Sequence, residues 1–350
     1  MRRADIDIRV SGRVGRITLT RENALNALSH DMCLAIESAL DAWRDDPSVA
    51  MLLLDAKGER AFCAGGDIVE MYESGMRGDY EYGRRFWRDE YRMNAKMFEF
   101  PKPVVSLMQG FTMGGGVGFG CHASHRVVGD SSRIAMPEAG IGLVPDVGGS
   151  LLLARAPGRL GAYLGTTCTR MGAADAIYAG FADYYLPENQ WGLLTGKLIS
   201  TGDWSQVDAH AQTPPDSPIR QNQAEIDSAF GGGGLHDILN ALQDTQSKFA
   251  TGTLKALGRN SPLSMAVLVE MTHRLRGLDD IRRALELEYR FTYRAMQHGD
   301  FLEGIRAAII DKDRTPVWRH ADMWQVSALD VANMLRPLGK EALNLQETRP

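Results

Sequence analysis

The sequence has no long apolar run, no large excess of charge of one sign and few cysteines. No stretch reaches the roughly 18 apolar residues that a membrane-spanning helix needs, so we expect no membrane partner. The 39 basic and 44 acidic residues give a formal charge of −5. That balance excludes a general electrostatic attraction for nucleic acid, so an anionic ligand must be bound by local groups.

The cysteines number only four, and none belongs to a C-x-x-C pair. Such sparse and irregularly spaced thiols are typical of reduced cytoplasmic proteins, so we expect no disulfide and a cytoplasmic location. The N-terminus lacks the apolar core of a secretory signal, and its alternating apolar residues predict a strand instead. We therefore expect the mature protein to begin near Met1.

Apolar periodicity predicts an α/β protein. Alternating residues on either side of Gly12 predict a β-hairpin. Ser29 is the expected N-cap of a helix that stops near Asp45, and three short apolar runs further along predict more strands. The predicted strands cover residues 6–10, 14–19, 51–54, 103–108 and 133–136.

Changes in composition divide the chain into three parts. Residues 1–190 are predicted to form the core. Residues 251–350 are predicted to form a helical C-terminal region, because their apolar residues recur at helical spacing. Between them, residues 191–250 contain proline- and glycine-rich stretches in a polar setting, which predict a variable connector with helices.

Two glycine loops could bring main-chain N–H groups close to a ligand. Residues 61–68 follow the predicted strand at 51–54, and residues 113–118 precede an apolar helical stretch. Two N–H groups directed at one carbonyl oxygen form an oxyanion hole, in which each donor contributes on the order of 3 kcal/mol. For either loop alone, a tight turn or close helix packing is the simpler explanation.

Two acids, Glu138 and Asp146, lie among small and apolar residues in the segment 136–149. Burying an ionised carboxylate is costly, so one in such surroundings needs a raised pKa or a dedicated partner, as acid–base and nucleophilic groups have. The alternative is a tight turn that exposes both acids. The glycine loops elsewhere in the chain favour the catalytic interpretation.

The two glycine loops, residues 61–68 and 113–118, together with residues 23–28, resemble those of the crotonase, or enoyl-CoA hydratase/isomerase, superfamily. The resemblance implies a crotonase-like spiral of ββα units with a helical C-terminal region, and a core (residues 1–190) that binds and transforms acyl-CoA thioesters. It also implies that the main-chain N–H groups of Gly66 and Gly115 form the oxyanion hole. The further substrate-binding residues that it implies are Ala24, Leu25, Ala64 and Asp67.

Departures from the hydratase pattern favour a hydrolase. Hydratases of the superfamily carry one of two catalytic glutamates where this chain has Gly118, and the second matches Glu138. They usually have Pro-Gly where this chain has Pro145-Asp146. The missing glutamate makes the paired-glutamate route of water addition doubtful, and the additional acid is typical of the hydrolases.

Further stretches resemble the 3-hydroxyisobutyryl-CoA hydrolase branch of the superfamily: residues 87–91 and, in the C-terminal part, residues 287–290, 300–307 and 311–313. That branch cleaves its thioester in valine breakdown, and the resemblance implies 3-hydroxypropionyl-CoA as a further substrate. The glutamate of the branch that matches Glu90 contacts substrate. Asp89 is an adjacent acid that could serve in its place.

The resemblance implies that Glu138 attacks the thioester or activates a water, while Asp146 handles protons or the substrate hydroxyl. An acyl-anhydride intermediate and direct hydrolysis both stay open. We expect no metal and no cofactor, because coenzyme A is part of the substrate. The expected partner is a small-molecule acyl-CoA, and a homo-oligomer stays open.

Two other functions compete with the hydrolase. An enoyl-CoA hydratase or isomerase would need Asp146 to replace the glutamate missing at Gly118, and a non-catalytic acyl-CoA-binding protein would use the glycine loops only as a scaffold. The acids would be needless in a binding pocket alone. A metal site at His122 and His125 is disfavoured, because no second cysteine pair or acid lies nearby in the sequence.

Overall fold

The computed structural model describes residues 2–3 and 5–345. The chain forms two compact units, each built from three separate segments. The strand unit comprises Met1–Gly66, Arg92–Ala135 and Arg170–Pro218, and the helical unit comprises Asp67–Tyr91, Met136–Thr169 and Ile219–Pro350. The boundaries expected at residues 190 and 250 stay predictions.

The strand unit contains every strand of the described residues. They are β1 (Arg2–Arg3), β2 (Ile6–Ser11), β3 (Val14–Leu19), β4 (Met51–Ala56), β5 (Ala61–Cys63), β6 (Val104–Met108), β7 (Phe111–Met113), β8 (His125–Val128), β9 (Arg133–Ala135) and β10 (Tyr184–Tyr185). Seven strands form one sheet in the order β1-β2-β3-β4-β6-β8-β10, and three form a smaller sheet in the order β5-β7-β9. Pairing is parallel from β3 onward in the large sheet and throughout the small sheet.

Helices account for most of the remaining chain. They are α1 (His30–Arg44), α2 (Val69–Met76), α3 (Glu81–Phe98), α4 (Gly115–Gly120), α5 (Gly149–Arg155), α6 (Leu160–Thr167), α7 (Ala173–Tyr178), α8 (Trp191–Thr201), α9 (Gln206–His210), α10 (Pro218–Gln221), α11 (Gln223–Ala229), α12 (Leu235–Asp244), α13 (Lys248–Leu257), α14 (Pro262–Leu275), α15 (Ile281–His298), α16 (Phe301–Ile305) and α17 (Ala328–Leu335). Among the described helices, none combines the length and apolarity needed to cross a bilayer.

From β4 onward, successive strands alternate between the two sheets. The pairs β4–β5, β6–β7 and β8–β9 each place one strand in the large sheet and the next in the small one, and helices separate the pairs. Parallel neighbours require such crossover connections. The chain therefore winds as a spiral of ββα units, which confirms the predicted fold class.

Local sequence signals account for the first elements of the strand unit. Ser11 pairs with Val14, so the hairpin turn is Gly12-Arg13, and Gly12 has a φ of 59°, which glycine adopts without strain. The Ser29 hydroxyl accepts a hydrogen bond from the N–H of Met32 and caps α1. The predicted hairpin and helix are confirmed.

The helical unit is organised around two long helices. The helix α14 packs against α5, α6 and α17, and α15 packs against α5, α16 and α17. Apolar residues line the buried side of α15, as its helical spacing predicts, among them Ile281, Leu285 and Phe291. This buried side also contains Glu288, which is an acid in an apolar setting.

One glycine of the strand unit, Gly116 in α4, lies where a side chain has no room. A Cβ atom there would be 2.2 Å from the carbonyl oxygen of Cys63, at the end of β5. Because glycine lacks that atom, α4 can approach the main chain of β5 closely.

We predict that Gly116→Ala lowers the free energy of unfolding by about 1–3 kcal/mol, because the new methyl group overpacks a rigid main-chain contact. The matched control is Gly196→Ala in α8, where a Cβ would meet no heavy atom of the described residues within 4 Å. That change should raise the free energy of unfolding by up to about 1 kcal/mol, since alanine favours a helix. Denaturant unfolding measures both, and equal effects would contradict the close approach.

Candidate active site

In the strand unit, the loop that carries Gly66 is held against the segment before α1. The N–H of Ala64 donates to the carbonyl oxygen of Leu25 at 3.0 Å. Leu25 itself has a φ of 51°, in the left-handed region, which turns the chain sharply at this point. These contacts bring three of the predicted substrate-binding residues, Ala24, Leu25 and Ala64, close to Gly66.

The second glycine loop lies beside the first. The strands β5 and β7 pair in parallel, with Cys63 opposite Thr112, so the loops after them leave the same edge of the small sheet. A Cβ built on Gly65 would be 3.8 Å from the carbonyl oxygen of Met113. The start of α4, where Gly115 lies, is therefore next to the loop of Gly66.

The main-chain N–H groups of Gly66 and Gly115 donate to no acceptor among residues 5–345. For Gly115 the reason is its position at the first turn of α4, where N–H groups have no partner within the helix. Gly115 is buried and Gly66 is half-buried. Unpaired donors in such places are suited to bind the oxygen of a ligand, as an oxyanion hole requires.

In the helical unit, Glu138 begins a short 3₁₀ segment, Glu138–Ile141. Its side chain is buried, and its Oε2 has no hydrogen-bond partner among the described residues. The segment closes at Gly142, whose φ is 72° and whose Cβ would lie 2.5 Å from the main-chain carbonyl of Asp300. Glycine therefore allows the turn that buries Glu138.

Asp146 lies in the next turn of the same unit. The N–H of Gly149 donates to the main-chain oxygen of Asp146 at 2.7 Å, and Val147 between them has a φ of 54°, which is uncommon for a β-branched residue. The buried Oδ2 of Asp146 accepts a hydrogen bond of 2.7 Å from the hydroxyl of Tyr91. The predicted acid is therefore buried and held by a specific donor.

Glu90 and Tyr91 reach this region from α3. Glu90 is 3% exposed and its Oε1 has no partner among the described residues, whereas the adjacent Asp89 is only half-buried. Of the two acids that the sequence left open, Glu90 is the buried one. Asp67, another predicted substrate-binding residue, accepts a long hydrogen bond of 3.4 Å from the N–H of Val69 at the start of α2.

A fourth buried acid, Glu288 of α15, was not predicted as a site residue. Its Oε2 accepts the N–H of Gly148 at 2.9 Å, and its Oε1 accepts both the N–H, at 3.1 Å, and the hydroxyl of Ser150. Glu288 thereby holds the chain that follows Asp146. One signal could have found it, because a charged residue three positions after Leu285 falls on the apolar face of the helix.

The acids influence one another because they are buried together. Burial raises the pKa of Glu138 well above its usual range, and the charge of Asp146 adds to the rise. Burial also raises the pKa of Glu90 well above its usual range, and the charge of Asp146 raises it further. Burial raises the pKa of Asp146 to about 7, against the lowering effect of the Tyr91 hydrogen bond.

The pKa of Glu288 also rises through burial, to about 8, although the hydrogen bond from Ser150 opposes the rise. Carboxyl groups with such pKa values can exchange protons near neutral pH, which general acid–base chemistry requires. Among the described residues, no group of three His, Cys, Asp or Glu side chains is placed to hold a metal ion. We call Glu90, Glu138, Asp146 and Glu288 the carboxyl cluster.

Comparison with known proteins identifies the family. The sequence pattern of the enoyl-CoA hydratase/isomerase family matches residues 14–335. A chicken (Gallus gallus) protein named "3-hydroxyisobutyryl-CoA hydrolase, mitochondrial" is 35% identical over 98% of this chain and 91% of its own. The human protein of the same name is 33% identical over 95% of this chain and 88% of its own.

Two crystal structures share the whole fold. One, described as an enoyl-CoA hydratase from Rhodobacter sphaeroides 2.4.1, is 54% identical, covers 97% of this chain and 99% of its own, and has a TM-score of 0.94. The other, described as a carnitinyl-CoA dehydratase from Mycobacterium thermoresistibile, is 40% identical, with coverage of 99% and 100% and a TM-score of 0.94. Since the family pattern spans both glycine loops and the whole carboxyl cluster, the chain belongs to the enoyl-CoA hydratase/isomerase family.

Proposed function

We propose that this protein hydrolyses the thioester of a short hydroxylated acyl-CoA, with 3-hydroxyisobutyryl-CoA as the leading substrate and 3-hydroxypropionyl-CoA as a further one. The observation that carries the proposal is the buried Glu138. One of its oxygens has no partner among the described residues, and burial together with the charge of nearby Asp146 raises the pKa of Glu138. Once ionised, this carboxylate is suited to attack a carbonyl carbon or to take a proton from water.

The two glycine N–H groups supply the electrophilic part of the reaction in this proposal. The N–H groups of Gly66 and Gly115 donate to the thioester oxygen, whose negative charge grows as the tetrahedral intermediate forms. Each donor is already fixed by the fold, so little reorganisation accompanies the reaction. Ala24, Leu25, Ala64 and Asp67 contact the substrate in this proposal.

Glu138 supplies the nucleophilic part by one of two routes. In the first, a carboxylate oxygen of Glu138 adds to the carbonyl carbon, the C–S bond breaks, and water then cleaves the resulting anhydride. In the second, Glu138 takes a proton from a water molecule whose oxygen adds to the same carbon. Either route yields the free acid and the thiol of coenzyme A, and needs no separate cofactor.

The remaining acids have supporting roles in the proposal. Asp146, whose pKa burial raises to about 7, exchanges the proton that the thiol or the water requires. Glu90 accepts a hydrogen bond from the hydroxyl of the acyl group. Glu288 positions the turn after Asp146 through its three hydrogen bonds.

Two observations support a hydrolase over other members of the family. Gly118 occupies the position where the hydratase pattern has a glutamate, so this chain lacks one of the two acids of the paired-glutamate route. The chicken and human relatives are named as 3-hydroxyisobutyryl-CoA hydrolases. Those names also contain the word mitochondrial, while a cytoplasmic location and a homo-oligomer stay predictions for this chain.

A second candidate function is hydration of an enoyl-CoA. The names of the two similar crystal structures, a hydratase and a dehydratase, favour it. In this case Asp146 would have to supply the proton transfer that a glutamate at position 118 performs in the hydratase pattern. The two functions differ in their products, since only the hydrolase releases a thiol.

The deciding assay follows thiol release from 3-hydroxyisobutyryl-CoA with a thiol reagent, beside loss of enoyl absorbance from crotonyl-CoA. We expect thiol release without hydration, because only one glutamate of the hydratase pair is present. Hydration without thiol release would establish the second candidate and overturn the first.

We predict that Glu138→Gln lowers kcat for thiol release by at least about a thousandfold, because an amide can neither attack nor take a proton. The matched control is Glu286→Gln on the exposed face of α15, which should leave kcat unchanged. Circular dichroism should show the same fold for both variants. Retained turnover in Glu138→Gln would remove this residue from the mechanism.

We predict that Tyr91→Phe moves the pH profile of kcat to higher pH. The Tyr91 hydroxyl donates to ionised Asp146 and lowers its pKa, so removal of this donor raises the pKa of Asp146. The limb of the pH profile that Asp146 controls therefore moves to higher pH. Tyr289→Phe is the control, because the hydroxyl of this neighbouring tyrosine donates to the carbonyl oxygen of Arg84 and not to an acid. An unshifted profile in Tyr91→Phe would show that Asp146 does not control the rate.

A further inference from the structure

The helical unit contains a surface cavity of about 720 Å³ that the proposed reaction does not use. Its walls come from α3, from the C-terminal half of α15, from residues 319–320, and from α17 with the chain after it. None of the four acids of the carboxyl cluster lines it. Six basic side chains do: Arg84, Arg294, Arg319, Arg336, His298 and His320.

The guanidinium groups of the four arginines of this basic cavity have no carboxylate partner among the described residues, although the main-chain N–H of Arg319 donates to Asp300 Oδ1 at 2.9 Å. Within residues 5–345, no carboxylate lies within 4.0 Å of any of their guanidinium nitrogens. The Arg84 Nε donates to the carbonyl oxygen of Tyr293 at 3.1 Å, and its guanidinium lies 3.8 Å from the centre of the Tyr293 ring. Arg84 is therefore held in place by neutral groups.

Arg294 forms the floor of the basic cavity and is only 8% exposed. Its Nη1 donates to the carbonyl oxygens of Arg290 and Met334, at 2.8 and 3.0 Å. Two neutral carbonyls do not compensate a buried positive charge, and arginine is rarely buried without an anionic partner. A bound anion would supply the missing charge.

Burial and neighbouring positive charges lower the pKa of two groups of the basic cavity, Arg294 and His298. Burial lowers the pKa of Arg294, and the charges of Arg336 and Arg290 lower it further. Burial also lowers the pKa of His298, and all four arginines of the basic cavity add to the effect. The positive charges therefore converge on one region and are not dispersed over the surface.

Two acids line the basic cavity but do not neutralise it. Asp330 already accepts the N–H and the hydroxyl of Ser327, at 2.8 and 2.6 Å, and lies 3.5 Å from the Nε2 of His320. Glu341 is exposed at the rim. The basic cavity therefore keeps a net positive charge.

We propose that the basic cavity is a binding site for a phosphate-bearing small molecule. Guanidinium groups bind phosphate oxygens through pairs of parallel hydrogen bonds, and this geometry favours arginine over lysine at such sites. The exposed Arg319 and Arg336 bind the phosphate at the rim, and Arg294 contributes its charge from the floor. The proposal does not depend on the hydrolase function.

The test measures binding of inorganic pyrophosphate to the full chain by titration calorimetry. Wild-type protein should bind it, and the affinity should fall as salt is added, because the attraction is electrostatic. Arg319→Ala and Arg336→Ala should each weaken binding by about tenfold or more, since each removes a charged hydrogen-bond donor. Both side chains are exposed, so their loss should leave the fold intact.

The matched control is Arg283→Ala, which removes one exposed charge from the start of α15, outside the basic cavity. It should bind pyrophosphate as the wild type does. No binding by the wild type, or the same affinity in all three variants, would overturn the proposal.

A competition experiment with free coenzyme A identifies which molecule supplies the phosphate. If free coenzyme A displaces pyrophosphate and binds more weakly to Arg319→Ala and Arg336→Ala, the basic cavity receives the phosphates of coenzyme A. If coenzyme A and pyrophosphate bind together, it receives a separate phosphate-bearing molecule. Both outcomes support the site, and both are read from binding, so they hold whether or not the thioester is hydrolysed.

Discussion

The chemistry of the helical unit depends on the removal of four carboxyl groups from water in one region. Glu90, Glu138, Asp146 and Glu288 are all buried, and burial is the first cause of every raised pKa among them. A buried charge without a partner is unfavourable, so the cluster favours protonated acids. It therefore retains protons at a pH where exposed carboxyl groups have lost them.

Hydrogen bonds divide these acids into two kinds. Asp146 and Glu288 have donors, from Tyr91 in one case and from Gly148 and Ser150 in the other. Glu90 and Glu138 each keep one oxygen without a partner among the described residues. An unsatisfied buried oxygen reduces stability. In the proposed reaction, these two acids contact a substrate that supplies a donor or an electrophile.

Two helices of the helical unit, α3 and α15, carry acidic and basic groups at different points along their length. On α3, Arg84 lies six residues before Glu90, and on α15, Arg294 lies six residues after Glu288. Six residues correspond to about 9 Å along a helix. The unit thus presents an acidic buried region and a basic open one, and each suits a different chemical group.

Local patterns in the sequence determined the hairpin, the start of α1, the strands β2, β3, β4, β6 and β9, and the two glycine loops, because these depend on near neighbours and on periodicity. The short strands β5, β7, β8 and β10 were not predicted. The sequence also places Glu138 and Asp146 among apolar residues. Tertiary structure alone decided the hydrogen-bond partners of Glu288, since Gly148 is 140 residues away, and it alone brought together the arginines of the basic cavity. The distances between these groups and their burial depend on how the helices pack, and local sequence patterns do not specify that packing.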